Sequence, residues 1–231
     1  MAKSRAARRH SMPNRKIESP ADQPTNDTMV SYSENWSGAV LVGTGYTAVT
    51  GKFTVPTPST TGSGAAWVGI DGDTCSTSIL QTGVSWTKGA LTTSYEAWYE
   101  WYPHVSIDFT GITISAGDSI QATVSATSEK AGTATVENLT TGETATHTFT
   151  AETDELCEYN AEWIVEDFEE GDSLVTFANY GSVEFTDAEA TQSGSTVDTS
   201  GATIIDMRTG LLGSVESSCT ATGTTVSCTY G

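Results

Sequence analysis

The chain has 231 residues, a length that fits one all-β domain. Its 22 glycines, together with abundant threonine and serine, favour strands and turns over helices. The net charge of −19 argues against binding to nucleic acid or to anionic membranes, because an acidic surface repels both. We therefore expect neither as a partner.

The first thirty residues differ from the rest of the chain in charge. Six of the ten basic residues lie within the first sixteen positions, where there is no acidic residue. We expect residues 1–30 to be a disordered basic leader or a propeptide remnant, which could block a cleft of the acidic body, and residues 31–231 to form one domain. No apolar run follows the basic start, so no signal peptide is visible.

From Ser33 onward, short apolar and β-branched runs alternate with turn residues, a pattern typical of a β-sandwich or a barrel. The best helical candidate is the short segment Asp154–Asn160. The predicted strands are Ala39–Val42, Ala48–Val55, Ala65–Ile70, Ser78–Val84, Tyr95–Tyr102, Ile112–Ile114, Ser119–Ala126, Thr133–Asn138, Thr144–Thr150, Ala161–Phe168, Leu174–Phe177, Ser182–Phe185, Ala202–Asp206, Leu211–Ser214 and Thr224–Thr229.

Two of these strands carry glutamates among large apolar residues. Period-two alternation puts Trp98, Glu100 and Tyr102 on one face of their strand. In the later strand it puts Glu162 and Glu166 on one face. Strands with large residues on both faces are covered on both, and a buried carboxylate is unfavourable unless it is paired or used. Glu100 and Glu166 are therefore the most informative acids.

The four cysteines are Cys75, Cys157, Cys219 and Cys228, and none belongs to a Cys-x-x-Cys pair. The three histidines are too few and too scattered for a zinc site, so we expect no metal. An even cysteine count in such a chain favours two disulfides and an oxidising compartment.

Several hydrolytic designs are excluded by the motifs that the chain lacks. It has no Gly-x-Ser-x-Gly elbow, no Asp-Thr-Gly or Asp-Ser-Gly pair, and no glycine-rich loop for a phosphate or a dinucleotide, so we expect no cofactor. Carboxylates, carboxamides and aromatic residues remain. They suit either two acids that flank a glycosidic bond, or one glutamate that activates a water beside an amide that holds the oxyanion.

Several motifs resemble one known family, in the same order over residues 34 to about 210. The family is that of the glutamic peptidases, or eqolisins. The motifs are Asn35-Trp36-Ser37-Gly38-Ala39-Val40, Trp67-Val68-Gly69-Ile70-Asp71-Gly72-Asp73, Ile79-Leu80-Gln81-Thr82-Gly83-Val84, Tyr95-Glu96-Ala97-Trp98-Tyr99-Glu100-Trp101-Tyr102-Pro103, Ala161-Glu162-Trp163-Ile164-Val165-Glu166-Asp167-Phe168 and Phe177-Ala178-Asn179-Tyr180-Gly181-Ser182-Val183.

The resemblance implies an all-β fold, an antiparallel sandwich of two large sheets of the concanavalin A-like lectin and glucanase type. It implies catalysis by Gln81 and a glutamate, for which spacing favours Glu166 over Glu162. One departure is Ser85, at a position where the family often has an acid. Substrate-binding residues of the family map to Trp36, Asp71, Trp98, Glu100 and Tyr102.

The resemblance also implies a Cys75–Cys157 disulfide. Cys219 and Cys228 would then form the second, since Ala221-Thr222-Gly223 between them is typical of a hairpin turn. With the resemblance, the sequence predicts a secreted, monomeric, acid-active endopeptidase that acts on proteins or peptides and resists pepstatin.

Two alternatives stay open. The first is a concanavalin-like glycoside hydrolase that uses Glu100 with Glu162 or Glu166, and whose aromatic residues stack on sugars. The second is a non-catalytic carbohydrate-binding module, in which Glu166 is only a buried structural acid.

Overall fold

The structure is a computed structural model that describes residues 9–17 and 30–231. These residues form twenty strands and no helix. The strands are β1 (Arg9–His10), β2 (Lys16–Ile17), β3 (Val30–Ser33), β4 (Trp36–Val42), β5 (Tyr46–Thr54), β6 (Gly62–Ile70), β7 (Ile79–Lys88), β8 (Thr93–Tyr102), β9 (Ile107–Asp108), β10 (Ser119–Ser128), β11 (Ala131–Asn138), β12 (Glu143–Phe149), β13 (Asn160–Glu166), β14 (Glu169–Glu170), β15 (Ser173–Leu174), β16 (Ser182–Gln192), β17 (Ser195–Val197), β18 (Thr203–Arg208), β19 (Val215–Thr222) and β20 (Thr225–Tyr230).

The strands build the expected all-β sandwich of two large sheets. The front sheet runs β9-β8-β7-β6-β13-β4-β18-β3-β2, and every neighbouring pair in it is antiparallel except β18–β3. The back sheet runs β12-β11-β10-β5-β16-β17. The first residues of β16 pair with β20, and this pairing links the two sheets through β19. Within the described ranges, no helix is long and apolar enough to cross a membrane.

The main core lies between the two sheets. Trp101, Trp163 and Val165 enter it from the front sheet, and Phe53 and Phe185 pack against each other there from the back sheet. A second apolar cluster covers the opposite face of the front sheet, which we call the outer face. Residues of β8 and β13 therefore alternate between the two clusters, as their period-two pattern predicts. The outer cluster consists of Trp36, Val40, Ala65, Trp67, Ile79, Trp98, Ile164, Phe168 and Ile205.

Three predicted elements are wrong. Ile112–Ile114 and Leu211–Ser214 form no strand, and the helical candidate Asp154–Asn160 is irregular chain that leads into β13. In the second of these segments, Leu212 is 96% exposed at a turn, so its apolar character does not report burial. Strand β19 was missed because its buried positions are Ser217 and Cys219 rather than large apolar residues.

Two disulfides are present, and they join Cys75 to Cys157 and Cys219 to Cys228. The second bridge links directly opposed residues of β19 and β20. The turn of this hairpin is Gly223-Thr224, one residue beyond the predicted centre, and Gly223 has the positive φ of 57° that such tight turns need.

The expectation of a disordered leader is wrong for residues 9–17, which we call the leader segment. These residues lie along the outer face, where β1 pairs with β14 and β2 pairs with β3. Ser11 at the middle of the segment is only 2% exposed. Of the remaining leader positions, 1–8 and 18–29 lie outside the described residues, and Val30 begins β3.

Candidate functional site

Register within the front sheet brings the candidate residues to its outer face. On β7, Gln81 lies opposite Gly69 of β6 and Glu100 of β8. On β13, Glu162 lies opposite Gly69 of β6. Glu166 lies four residues further along β13 on the same face, opposite Ala65 of β6. Gly69 leaves room for this crowding, since a Cβ there would lie 3.0 Å from Glu162 Oε1 and 3.3 Å from Gln81 Cβ.

The leader segment joins Gln81 to Glu166. The Gln81 side-chain amide donates from Nε2 to the Ser11 carbonyl oxygen at 3.0 Å. The backbone N–H of Met12 donates to Glu166 Oε1 at 3.0 Å, and the Ser11 hydroxyl hydrogen-bonds with Glu166 Oε2. The two sides of one peptide bond, Ser11–Met12, are therefore hydrogen-bonded to the two candidates: its carbonyl oxygen to the Gln81 amide and its nitrogen to the Glu166 carboxyl group.

The carboxyl group of Glu166 is fully buried and held by aromatic donors. The indole Nε1 of Trp67 donates to Glu166 Oε2 at 2.8 Å, and the Trp67 ring meets Trp36 edge-on with centroids 5.0 Å apart. Burial raises the pKa of Glu166 to about 8, although the hydrogen bonds from Ser11 and Trp67 oppose this rise. With the leader segment in place, Glu166 is thus protonated at acid pH.

The second candidate, Glu162, has different surroundings. It is fully buried, and neither of its carboxyl oxygens has a hydrogen-bond partner among the described residues. Burial raises the pKa of Glu162 well above its ordinary value, and the charges of Asp71 and Asp73 raise it further. No hydrogen bond joins it to residues 9–17, so only Glu166 of the two meets the bound peptide.

Three of the other candidates contact the leader segment. Glu100 Oε2 accepts the Ser11 backbone N–H at 3.2 Å, and the indole of Trp36 donates to the Met12 carbonyl at 2.9 Å. Burial raises the pKa of Glu100 well above its ordinary value. The Trp98 ring lies beneath the Arg9 guanidinium, 5.3 Å from its centre.

The remaining two candidates lie apart from the Ser11–Met12 bond. Tyr102 packs half-buried against the outer cluster. Asp71 accepts four backbone N–H groups, those of residues 157 to 160, at 2.7–3.2 Å. It therefore fixes the chain entry to β13 beside the Cys75–Cys157 bridge, and its carboxyl group does not bond with residues 9–17.

Comparisons with known proteins give the family of the chain. The model of the Peptidase A4 family matches residues 34–230. The chain belongs to the Peptidase A4 family. Aspergillopepsin-2 from Aspergillus niger is 54% identical over 226 residues, which cover 88% of this chain and 79% of the relative. Scytalidopepsin B from Scytalidium lignicola is 46% identical over 216 residues, covering 89% and 81%.

A solved structure shows the same fold. The crystal structure of scytalido-glutamic peptidase with a transition state analog inhibitor superimposes with a TM-score of 0.81 at 47% identity, and covers 86% of this chain and 98% of that one. As a member of the family, the chain is a glutamic endopeptidase rather than a glycoside hydrolase or a carbohydrate-binding module.

Ser85 of this glutamic peptidase, at the position where an acid was expected, contacts the leader segment. Its hydroxyl accepts from Arg9 Nη1 at 2.7 Å, and the other guanidinium nitrogens bond with Ser106 at 2.9 Å and Asp108 at 2.8 Å. The same guanidinium lies 5.7 Å from the centre of the Phe168 ring. Two neutral hydroxyls, those of Ser85 and Ser106, thus hold the cation together with the exposed carboxylate of Asp108.

Sequence reasoning missed several residues through which the peptidase holds the leader segment. Asn35 donates to the Met12 and Pro13 carbonyls and accepts the Arg15 backbone N–H. Asn35 and Trp67 each begin a motif that resembles the family, and alternation along β6 puts Trp67 on the face of Gly69, but neither pattern reveals a hydrogen bond. Further contacts come from Asp73, which binds Asn14 and Lys16, and from Glu169, which pairs with Arg15.

Proposed function

We propose that this peptidase cleaves proteins at acid pH by direct attack of water, with Glu166 as the general base and Gln81 as the oxyanion donor. The observation that carries the proposal is the Ser11–Met12 peptide bond of the chain itself. Its carbonyl oxygen accepts from Gln81 and its nitrogen donates to Glu166, both at 3.0 Å. A substrate peptide bond held in this way has its carbonyl oxygen beside the oxyanion donor Gln81 and its leaving nitrogen beside the proton carrier Glu166.

The chemistry follows from these two contacts. Ionised Glu166 takes a proton from water, and the water oxygen adds to the carbonyl carbon. The Gln81 amide, which stays a neutral donor at acid pH, stabilises the oxyanion that forms. The C–N bond then breaks, and Glu166 returns its proton to the departing nitrogen. The protonated carboxyl group therefore lies next to the leaving group at the step that needs an acid.

Acid activity requires Glu166 to ionise below neutral pH. Burial is the main cause that raises its pKa to about 8, and the leader segment contributes to that burial. Departure of the segment removes the Ser11 and Met12 donors, which favour the charged form, but it admits water, which solvates the carboxylate and takes the place of these donors. The Trp67 N–H continues to favour the charged form, so the pKa of Glu166 falls as the burial is relieved. The free enzyme thus has an ionisable base where the occupied enzyme does not.

The leader segment, in this proposal, is an inhibitory propeptide. It covers Gln81 and Glu166, and its cations pair with carboxylates of the body: Arg9 with Asp108 at 2.8 Å and Lys16 with Asp73 at 3.1 Å. Ion pairs weaken when acid protonates their carboxylates. Acidification would accordingly loosen the segment and start activity.

We also propose that the protein is secreted and acts on extracellular proteins or peptides. The two disulfides support an oxidising compartment. An acidic surface with a net charge of −19 loses its self-repulsion as its carboxylates are protonated, which suits acid surroundings.

The experiment is hydrolysis of denatured casein by the full-length chain after acid incubation, from about pH 2 to 7. We expect cleavage that is strongest in the acid range and unchanged by pepstatin or by a chelator. Absence of cleavage at every pH, with the leader shown by mass spectrometry to have been removed, would contradict the proposal. Inhibition by the chelator would contradict the metal-free mechanism.

A further inference from the structure

The Ser11 hydroxyl occupies a specific place in the site. It hydrogen-bonds with Glu166 Oε2, the same oxygen that accepts the Trp67 indole N–H at 2.8 Å. Ser11 is buried, and its backbone is held from both sides, since its N–H donates to Glu100 and its carbonyl accepts from Gln81. The hydroxyl oxygen is thus fixed between the carboxyl group and the carbonyl carbon of the same residue.

An attacking water would need that place. In the mechanism proposed above, the water must bond with Glu166 and lie beside the carbonyl carbon whose oxygen is held by Gln81. The Ser11 oxygen meets both conditions but cannot act as the nucleophile, because its attack on the carbonyl carbon of its own residue would close a strained four-membered ring. The Ser11–Met12 peptide bond therefore lies against Gln81 and Glu166 with no oxygen nearby that can attack its carbonyl carbon.

We propose that Ser11 makes the leader segment an inhibitor instead of a substrate, because its hydroxyl excludes the attacking water from Glu166. The inference rests on the proposed function of Gln81 and Glu166, and it extends that function to the regulation of the same site. Removal of the hydroxyl leaves space at Glu166 Oε2 for a water. The Ser11–Met12 position then becomes a cleavage site.

The reaction at the altered position balances as ordinary hydrolysis. Glu166 removes one proton from the water, and the water oxygen adds to the carbonyl carbon of residue 11. The bond from that carbon to the Met12 nitrogen breaks, and the proton passes from Glu166 to this nitrogen. The products are a fragment that ends in a carboxyl group at residue 11 and a body that begins at Met12.

The test uses the full-length chain with Ser11→Ala, and with Ser11→Thr as the variant that keeps a hydroxyl. Each chain is acidified, and the new termini are followed in time by intact mass and N-terminal sequencing. We expect the alanine chain to be cut between residues 11 and 12 at least about a hundredfold faster than the wild type or the threonine chain, the typical scale of general-base catalysis. The double variant Ser11→Ala/Glu166→Gln should not be cut there.

Several results would overturn the inference. They are cleavage of the wild-type bond at the rate of the alanine variant, or an alanine chain that digests casein while its 11–12 bond stays intact. Ser11→Gly repeats the test if the alanine chain fails to fold, which circular dichroism would reveal. If wild-type and alanine chains both fold but cleave neither casein nor themselves, the proposed function fails as well, and the two failures are thereby distinguished.

Discussion

Replacement of Glu162 by Gln should make the stability of the protein less dependent on pH. Glu162 is fully buried, and its oxygens have no hydrogen-bond partner in the described part of the chain. Burial, followed by the charges of Asp71 and Asp73, raises the pKa of this carboxyl group well above its ordinary value. The native protein therefore keeps Glu162 protonated at pH values where the unfolded chain has released the proton.

The sign of the effect follows from this difference. A group whose pKa is raised by folding contributes its full stability below the unfolded pKa of about 4.3, and this contribution is lost as the pH rises through the folded pKa. Glutamine keeps the size of the protonated acid but does not titrate. The variant and the wild type should thus be nearly equal in stability in acid, and the variant should be the more stable of the two near neutrality.

The magnitude is set by one proton. While native Glu162 holds its proton and the unfolded side chain does not, the stability difference grows by at most about 1.4 kcal/mol for each pH unit. For a chain of this size that corresponds to at most about 3–6 °C in Tm per pH unit. Above the unfolded pKa of about 4.3, an effect of this size can be measured in an ordinary unfolding experiment.

The assay is urea unfolding, followed by tryptophan fluorescence at a series of pH values. All chains carry Gln81→Ala so that self-digestion does not disturb the equilibrium, and mass spectrometry checks that they stay intact. Glu189→Gln is the matched control, because Glu189 is exposed on β16 and is hydrated in both states. A stability difference for Glu162→Gln that is the same at every pH, like that of the control, would refute the reasoning.

Three further predictions concern other contacts. Arg9→Ala removes the guanidinium contacts of the leader segment, so the lag before activity in acid should shorten at least severalfold in progress curves. An unchanged lag would show that these contacts do not hold the segment. Serine at both Cys75 and Cys157 should lower the free energy of unfolding by about 2–5 kcal/mol in urea, and an unchanged midpoint would contradict a stabilising role. Trp67→Phe removes a hydrogen-bond donor to Glu166, so kcat/KM should fall by about tenfold or more, and the acid limb of its pH profile should move to higher pH. An acid limb at the wild-type pH would contradict a role of this contact in the ionisation of Glu166.

Much of the fold could be predicted from local pattern. Alternation along β8 and β13 separates Trp98 and Ile164 from Trp101 and Trp163. In the structure the first two residues lie on the outer face and the other two in the main core. The pattern fails where side-chain character and burial diverge. Leu212 is apolar but 96% exposed at a turn, whereas Ser217 is polar but buried in β19, where its hydroxyl bonds with Ser37 and Tyr180.

The site could be predicted only in part. Strand periodicity puts both Glu162 and Glu166 on the outer face, and it cannot tell which of them meets a peptide. That difference depends on the path of residues 9–17, which are polar, basic and without strand periodicity, so their sequence indicates a tail. Opposite charge alone pointed to an inhibitory role, but the Ser11–Met12 contacts depend on tertiary structure and no local pattern encodes them.

The most direct test of the account is the turnover of three variants on one peptide substrate at acid pH. A trace of tagged wild-type enzyme first cleaves the leader from each chain and is then removed. Glu166→Gln should lower kcat by about 10²–10⁴ and Gln81→Ala by about 10²–10³, while both chains stay folded. Glu162→Gln should keep most of the activity, since its side chain does not contact the bound peptide. Near-normal turnover by Glu166→Gln with an inactive Glu162→Gln, or full activity of Gln81→Ala, would contradict the assignment of Gln81 and Glu166 as the catalytic pair.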